Sequence, residues 1–280
     1  MSVFDEAKVD AHCHVLDPAR FEYAADVAYR PAGAEIGPFD QYRQVMAAYG
    51  IRHALFVGPN SGYNLDNRCL LHTLAEEPSQ LRGMAVLRND IPLDELRALQ
   101  AQGIVGVALN ATVQGQPHVL ASAALMQRCA ELDLLVQVQA EHEQWLQLLP
   151  LLQACPARLM IDHCGRPRAG AGIEQPGFQA VLALARGVHR RGRTAVKLSG
   201  YQKFSGLPPP WPDSLPFVQA LIDTYSLQAC LWASDWPFLR TPQRLDVGPL
   251  LRLVEHLLPS AQDRAELWWH TPRRWLGFAA

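Results

Sequence analysis

Four residues carry the strongest chemical signal in the sequence. V-D-A-H-C-H sets His12 and His14 two residues apart, I-D-H puts His163 behind an apolar run, and W-A-S-D-W-P puts Asp235 behind another. Side chains two apart in an extended strand project to the same side, so both imidazoles of the first motif can face one site. Imidazoles and a carboxylate gathered together can ligate a divalent ion. They can also take a proton from water and donate hydrogen bonds to a reacting carbonyl. The plainer reading is a set of buried, hydrogen-bonded polar groups, which would be an odd concentration at one end of a fold.

The elements that must position these residues read as an alternation. Eight β-type runs fall at 9–15, 53–59, 83–87, 105–110, 134–139, 159–163, 195–198 and 230–234. Several are nearly continuous apolar stretches such as H-A-L-F-V-G, as expected for parallel strands covered on both faces. Helix-period stretches lie between them at 41–50, 92–103, 121–133, 142–153, 178–191, 214–225 and 242–258. Pro92 near a start, and Gly50 and Gly103 near ends, are the expected punctuation. The pattern predicts an α/β protein, a (β/α)8 TIM barrel spanning 1–280 as one domain. An open doubly wound sheet is the competing architecture, but no glycine-rich phosphate loop follows the first strand. In a barrel, chemistry sits at the C-terminal strand ends, and His12, His14, His163 and Asp235 fall at the ends of strands one, six and eight. Two long loops, 17–38 and 201–216, also follow strands and are candidates to cover a site.

Composition narrows the function classes. Hydrophobic residues make up 49% and charged residues 19%, a globular balance that excludes disorder and rod-like folds. A formal net charge of −2 gives no footprint for nucleic acid or anionic membrane, so neither is an expected partner. No apolar run is long enough to span a bilayer, and the opening M-S-V-F-D-E-A-K lacks signal-peptide character, which predicts a cytoplasmic protein. The six cysteines form no C-x-x-C pair and sit mostly in apolar runs, the placement of reduced core thiols.

V-D-A-H-C-H at 9–14, I-D-H-C-G-R-P at 161–167, V-K-L-S-G at 196–200 and S-D-W-P at 234–237 together resemble the amidohydrolase superfamily. Within it they are most similar to the 2-pyrone-4,6-dicarboxylate lactonase branch, whose C-terminal signature T-P-R-R-W-L-G-F at 271–278 also resembles. The resemblance implies an amidohydrolase-like barrel that hydrolyses a small anionic or sugar lactone. Asp235 would act as general base, while His12, His14 and His163 polarise the carbonyl. Most amidohydrolases add a fifth-strand His or a fourth-strand Lys or Glu as a metal ligand. Here the fifth strand offers Gln137 or Gln139 and the fourth offers Asn110, which are poor ligands beside His and carboxylate. The resemblance therefore implies that no metal is required, although His12, His14 and Asp235 could hold a zinc ion. Two rivals stand beside the lactonase: a metal-dependent hydrolase or decarboxylase, and a non-catalytic barrel that binds a carboxylated metabolite. Binding alone needs no general base, which argues against the latter.

The same resemblance implies substrate contacts at Lys203, Asn60, Ser61, Tyr63, Asn110 and Gln139. A solvated loop lysine and plain turn chemistry are the alternatives for Lys203 and for residues 60–63. Arg166 and Pro167 read equally well as structural, Lys197 reads as scaffold, and Trp236 reads as packing. Trp268, Trp269 and Trp275 read as core of the last helices, and His53, His72, His118, His142, His189, His256 and His270 as surface or packing residues. One departure bears on the substrate. Ala108 stands in G-V-A-L-N where the resemblance implies an arginine that clamps a carboxylate, so a lactone with at most one carboxylate is expected. Oligomeric state is not readable from the sequence.

Overall fold

The computed structural model describes residues 2–241 and 243–279. Its strands are β1 (Lys8–Cys13), β2 (Ile51–Val57), β3 (Leu81–Ala85), β4 (Ile104–Asn110), β5 (Leu135–Gln139), β6 (Arg158–Ile161), β7 (Thr194–Leu198) and β8 (Cys230–Trp232), ordered in one sheet as in the sequence. The principal helices are α1 (Phe39–Ala48), α2 (Arg68–Glu76), α3 (Leu93–Ala101), α4 (Gln116–Leu120), α5 (Ala123–Glu131), α6 (Gln144–Ala154), α7 (Pro176–Arg186), α8 (Leu215–Tyr225), α9 (Val247–Leu257), α10 (Ala261–Ala265) and α11 (Thr271–Leu276). This is the strand–helix alternation of the (β/α)8 class. The helical stretch expected at 242–258 begins on Pro242, outside the described residues, and the helix itself runs Val247–Leu257. Among the described residues no helix is long and apolar enough to cross a membrane.

The chain groups into two compact units, Met1–Val86 with Gln102–Ile104 and Leu231–Ala280, and Leu87–Ala101 with Val105–Cys230. In the first, β1 pairs parallel with β2 and β2 with β3. All six residues of β1 are buried, although Lys8 and Asp10 lie among them. The two-residue period puts Lys8, Asp10 and His12 on one face and Val9, Ala11 and Cys13 on the other. Trp268 packs edge-on against Trp232 and, with Trp275, is buried as expected, whereas Trp269 is half-buried and stacks on His53. In the second unit, β4 through β7 pair parallel in sequence order. Their buried leucines, valines and methionines meet apolar faces of the intervening helices, such as Phe178, Val181 and Leu184 of α7. All six cysteines are buried.

Five strands stop short of their expected C-terminal ends. β1 ends at Cys13 rather than at residue 15, β2 at Val57, β3 at Ala85, β6 at Ile161 and β8 at Trp232. At β6 the reason is backbone conformation: His163, Cys164, Gly165 and Arg166 all have positive φ, which no strand accommodates. At β8 the side chain of Ser234 takes over hydrogen bonds that a ladder would make, and Asp235 turns to φ 62°. His14, His163 and Asp235 therefore occupy the segments that leave the strands, while His12 lies at the end of β1.

The loop 17–38 folds back on the chain leaving β1 through a Leu16–Gly37 bridge, and Tyr23 donates to the Pro31 carbonyl at 2.9 Å. The loop 201–216 is pinned by Trp211, only 4% exposed and stacked on Tyr201.

Candidate active site

In the first unit, the chain leaving β1 and the chain leaving β8 are joined by backbone hydrogen bonds. Asp235 N–H donates to His12 O at 2.9 Å, and His14 N–H to Trp236 O at 2.8 Å. That pairing brings three of the expected residues together. The His12 and His14 rings stand edge to face, with Nε2 atoms 3.3 Å apart. Asp235 Oδ1 lies 3.9 Å from His12 Nε2 and 3.8 Å from His14 Nε2. His12 and Asp235 are essentially buried, and His14 keeps slightly more exposure. The His14 Nδ1 lies 2.7 Å from the Val57 carbonyl, which can only accept, so that nitrogen carries the proton. A neutral His14 then presents a lone pair at Nε2, which can accept from His12 Nε2–H across the 3.3 Å contact or face an ion beside an unprotonated His12 Nε2.

Behind this trio lies Asp10, which sequence reading left as a motif letter. Its carboxylate accepts from Tyr42 Oη at 2.6 Å, from Ser234 N–H at 2.9 Å, from His12 N–H at 3.1 Å and from the Ser234 hydroxyl. Burial pushes its carboxyl above the usual range, against the pull of these hydrogen bonds. Burial and the neighbouring Asp10 charge hold the Tyr42 phenol well above its ordinary value, so it stays a donor. Trp236 packs on Tyr42 with ring centroids 4.9 Å apart, the packing role expected of it.

Of the residues after β2, Tyr63 is buried, and its hydroxyl accepts from Asp17 N–H at 3.0 Å, tying down the 17–38 loop. Ser61 is half-buried. Asn60 is half-buried too, and its Nδ2 is a buried donor with no hydrogen-bond partner.

In the second unit, His163 sits on the first turn after β6. Its Nδ1 lies 3.0 Å from Ser199 Oγ. Its ring rests directly on Gly200, where an added Cβ would meet ring atoms at 2.7 Å. Next to it, Asp162 pairs with Lys197 at 3.1 Å, both fully buried. Gln137 closes the triangle, accepting from Lys197 Nζ at 2.6 Å and donating to Asp162 Oδ2 at 2.7 Å. Gln137 is thus committed to this cluster, and Lys197 is the scaffold residue it was expected to be. Arg166 pairs with Glu141 at 2.9 Å, in keeping with its structural reading.

Asn110 and Gln139 are register partners across β4 and β5. Both converge on Thr112, which donates its hydroxyl to Asn110 Oδ1 at 2.7 Å and accepts from Gln139 Nε2 at 3.3 Å. Lys203 is half-buried on the turn Tyr201–Lys203, its amide donating to Gly200 O at 2.8 Å.

A family model described as amidohydrolase matches residues 9–278. The chain belongs to the amidohydrolase family. A relative from Rhizobium radiobacter named 4-sulfomuconolactone hydrolase is 29% identical over 276 residues, 96% of this chain and 89% of its own length. A 2-pyrone-4,6-dicarboxylate hydrolase from Comamonas testosteroni is 26% identical over 95% of this chain and 88% of its own. Among solved structures, a candidate 2-pyrone-4,6-dicarboxylic acid hydrolase from Pseudomonas putida aligns with TM-score 0.83 and 30% identity, covering 98% of both chains. An amidohydrolase from Burkholderia multivorans solved with bound zinc shares the fold at TM-score 0.74 and 18% identity, over 98% of this chain and 100% of that one.

That neighbour holds zinc, and in this chain the His12–His14–Asp235 trio is a donor set that fits a metal ion. Zinc ligands at about 2.0–2.1 Å in a tetrahedron stand about 3.3 Å from one another. The imidazole pair already has that spacing, and the carboxylate oxygen is about half an ångström wider. The Val57 carbonyl orients His14 as such a ligand requires.

Proposed function

We propose that this amidohydrolase is a lactonase that adds water to the carbonyl carbon of a small lactone and opens the ring, working as a single 1–280 domain. The observation that carries the reading is the buried Asp235 carboxylate, 3.8–3.9 Å from both imidazoles of the His-x-His pair, in a chain whose relatives are named for lactone hydrolysis. Asp235 takes a proton from water as its oxygen attacks the carbonyl. His12, His14 and His163 stabilise the developing oxyanion, His14 doing so when its Nε2 also carries a proton. Collapse breaks the ring C–O bond, and the proton on Asp235 passes to the leaving oxygen, giving a hydroxy acid. Bringing His163 to the same carbonyl follows from its place after β6 in the family's barrel, where strand ends share one mouth.

The reaction is read as needing no metal, because β4 and β5 supply only Asn110, Gln137 and Gln139 in ligand-type positions, and Gln137 is already bound to Lys197 and Asp162. The 3.3 Å imidazole spacing favours a second reading, in which His12, His14 and Asp235 hold a divalent ion. Such an ion would supply Lewis acidity and a more acidic water.

Substrate contacts fall to Lys203, Asn60, Ser61, Tyr63, Asn110 and Gln139. Ala108, 6% exposed on β4, offers only a methyl group, so Lys203 neutralises one carboxylate and the preferred lactone carries no more than one. The six buried thiols favour a reducing compartment such as the cytoplasm.

A lactone panel followed by proton release, with and without chelator, tests the proposal. Wild type is expected to turn over a monocarboxylate or neutral lactone faster than the pyrone dicarboxylate and to keep its activity after chelation. Asp235→Asn is expected to lose about 10²-fold or more in kcat. Near-normal turnover by that variant sinks the base assignment, while loss with chelator and recovery with zinc selects the second reading.

A further inference from the structure

We propose that Asp10 is a positioning residue that sets the distance between the imidazole pair and Asp235. The inference rests on the lactonase reading for its consequences, but on geometry for its substance. Asp235 has φ 62°, a left-handed conformation uncommon for a residue with a side chain, though Asp enters it more readily than most. Its own backbone bond to His12 O secures one side. The other side is secured by Ser234, the residue before it, whose amide and hydroxyl both donate to Asp10. The Ser234 oxygen also accepts from Trp236 N–H at 3.0 Å, so one side chain grips the backbone on both flanks of Asp235. Asp10 Oδ1 meanwhile accepts from the His12 amide at 3.1 Å. One buried carboxylate therefore fixes the backbone of His12 and of residues 234–236 at once, and Tyr42 fixes the carboxylate from α1 at 2.6 Å. Asp10 touches neither ring nitrogen in these bonds, so it acts through the backbone rather than on the substrate.

Asp10→Asn keeps the shape but replaces two lone pairs with an N–H2 group that faces donors. The expected result is a fall in kcat of about 10–100-fold with KM changed by less than about twofold, since misplacement of reacting groups by a fraction of an ångström has that effect. A crystal structure of the variant is expected to show Asp235 out of its positive φ and the His12 Nε2–Asp235 Oδ1 separation changed from 3.9 Å.

Should Asp10→Asn not fold, Ser234→Ala and Tyr42→Phe carry the test. The first removes the bridge to Trp236 and is expected to fall in the same range. The second leaves both amide bonds intact and is expected to fall only a few-fold, with Ser234→Thr restoring activity lost in Ser234→Ala. Loss of kcat with Asp235 and the separation unmoved overturns the proposal, as does equal loss in the serine and tyrosine variants. If wild type opens no lactone on the panel, the lactonase reading fails, and the crystal structure of the variant alone decides the positioning role.

Discussion

In the first unit Lys8 and Asp10 stand two residues apart on β1, both fully buried, and each is solvated by neutral groups. Lys8 Nζ donates to the carbonyls of Glu6 at 2.5 Å, Tyr49 at 3.0 Å and Phe4 at 3.4 Å, while Asp10 accepts from two hydroxyls and two amides. In the second unit Lys197 and Asp162 are equally buried, but they meet each other at 3.1 Å, with Gln137 bonded to both. Buried charge is thus carried in two ways. Separate solvation ties each charge to fixed backbone, so the carboxylate can hold the backbone of a catalytic segment in register. Direct pairing ties the charges to one another, so each depends on its partner to remain tolerable away from water. The consequence reaches function. Asp10 grips the main chain around His12 and Asp235, whereas the Lys197 pair anchors Asp162 and, through it, the turn on which His163 sits.

The largest expected effect comes from breaking the pair. Lys197→Met leaves Asp162 buried without its cation, and a loss of about 3–5 kcal/mol in unfolding free energy is expected. Lys8→Met removes a cation whose partners are carbonyls near the surface of the unit. It is expected to cost about 1–2 kcal/mol or less at pH 7, because the desolvation of the charge disappears with it. Urea unfolding of the two variants side by side is the measurement. Equal losses break the comparison, since they mean the carbonyl shell is as indispensable as the carboxylate.

A smaller effect is expected where the second unit seats its histidine. Gly200 has φ 67°, and a Cβ there meets the His163 ring at 2.7 Å, so Gly200→Ala strains the backbone and pushes the ring. About 1–3 kcal/mol of stability is expected to go. Turnover is expected to fall further than the folded fraction does, because the ring shifts relative to Ser199. A variant as stable and as active as wild type would show that the ring has room to move, and that the second unit holds His163 less tightly than the first holds His12.

Much of the fold was legible because its strands are short, nearly continuous apolar runs, and those runs number eight in the sequence as in the structure. Their C-terminal limits were not legible. Nothing in I-D-H or W-A-S-D says that the backbone turns at His163 or Asp235, because the turns depend on side-chain and cross-strand bonds made by distant residues. The His12–His14–Asp235 convergence was readable from motif spacing and strand period. The supporting layer was not: Asp10, Tyr42 and Ser234 lie far apart in the chain, as do Asp162, Gln137 and Lys197. One physical signal was available. A carboxylate or ammonium inside an otherwise apolar strand must find partners when it is buried, so Asp10 and Lys197 each imply a buried network whose members the sequence does not name.

The last prediction sharpens the contrast through pH. Burial lowers the Lys8 ammonium from 10.5 to about 8, with the nearby Glu6 and Asp5 charges opposing the shift. Between those values the unfolded chain binds the proton and the folded chain does not, so stability must rise as pH climbs through the window. Tyrosines and thiols titrate there too, but they do so in wild type and in Lys8→Met alike, and the difference between the two cancels them. That difference is expected to move in favour of wild type by about 1–2 kcal/mol between pH 7.5 and pH 10, a figure reduced from the full shift to allow for solvent screening near the strand's start. Urea midpoints for both proteins at three or four pH values suffice. A flat difference would mean that the three carbonyls stabilise the ammonium as fully as water does. Neutral solvation and ion pairing would then be energetically alike at Lys8 and Lys197, and only their geometry would separate the two units.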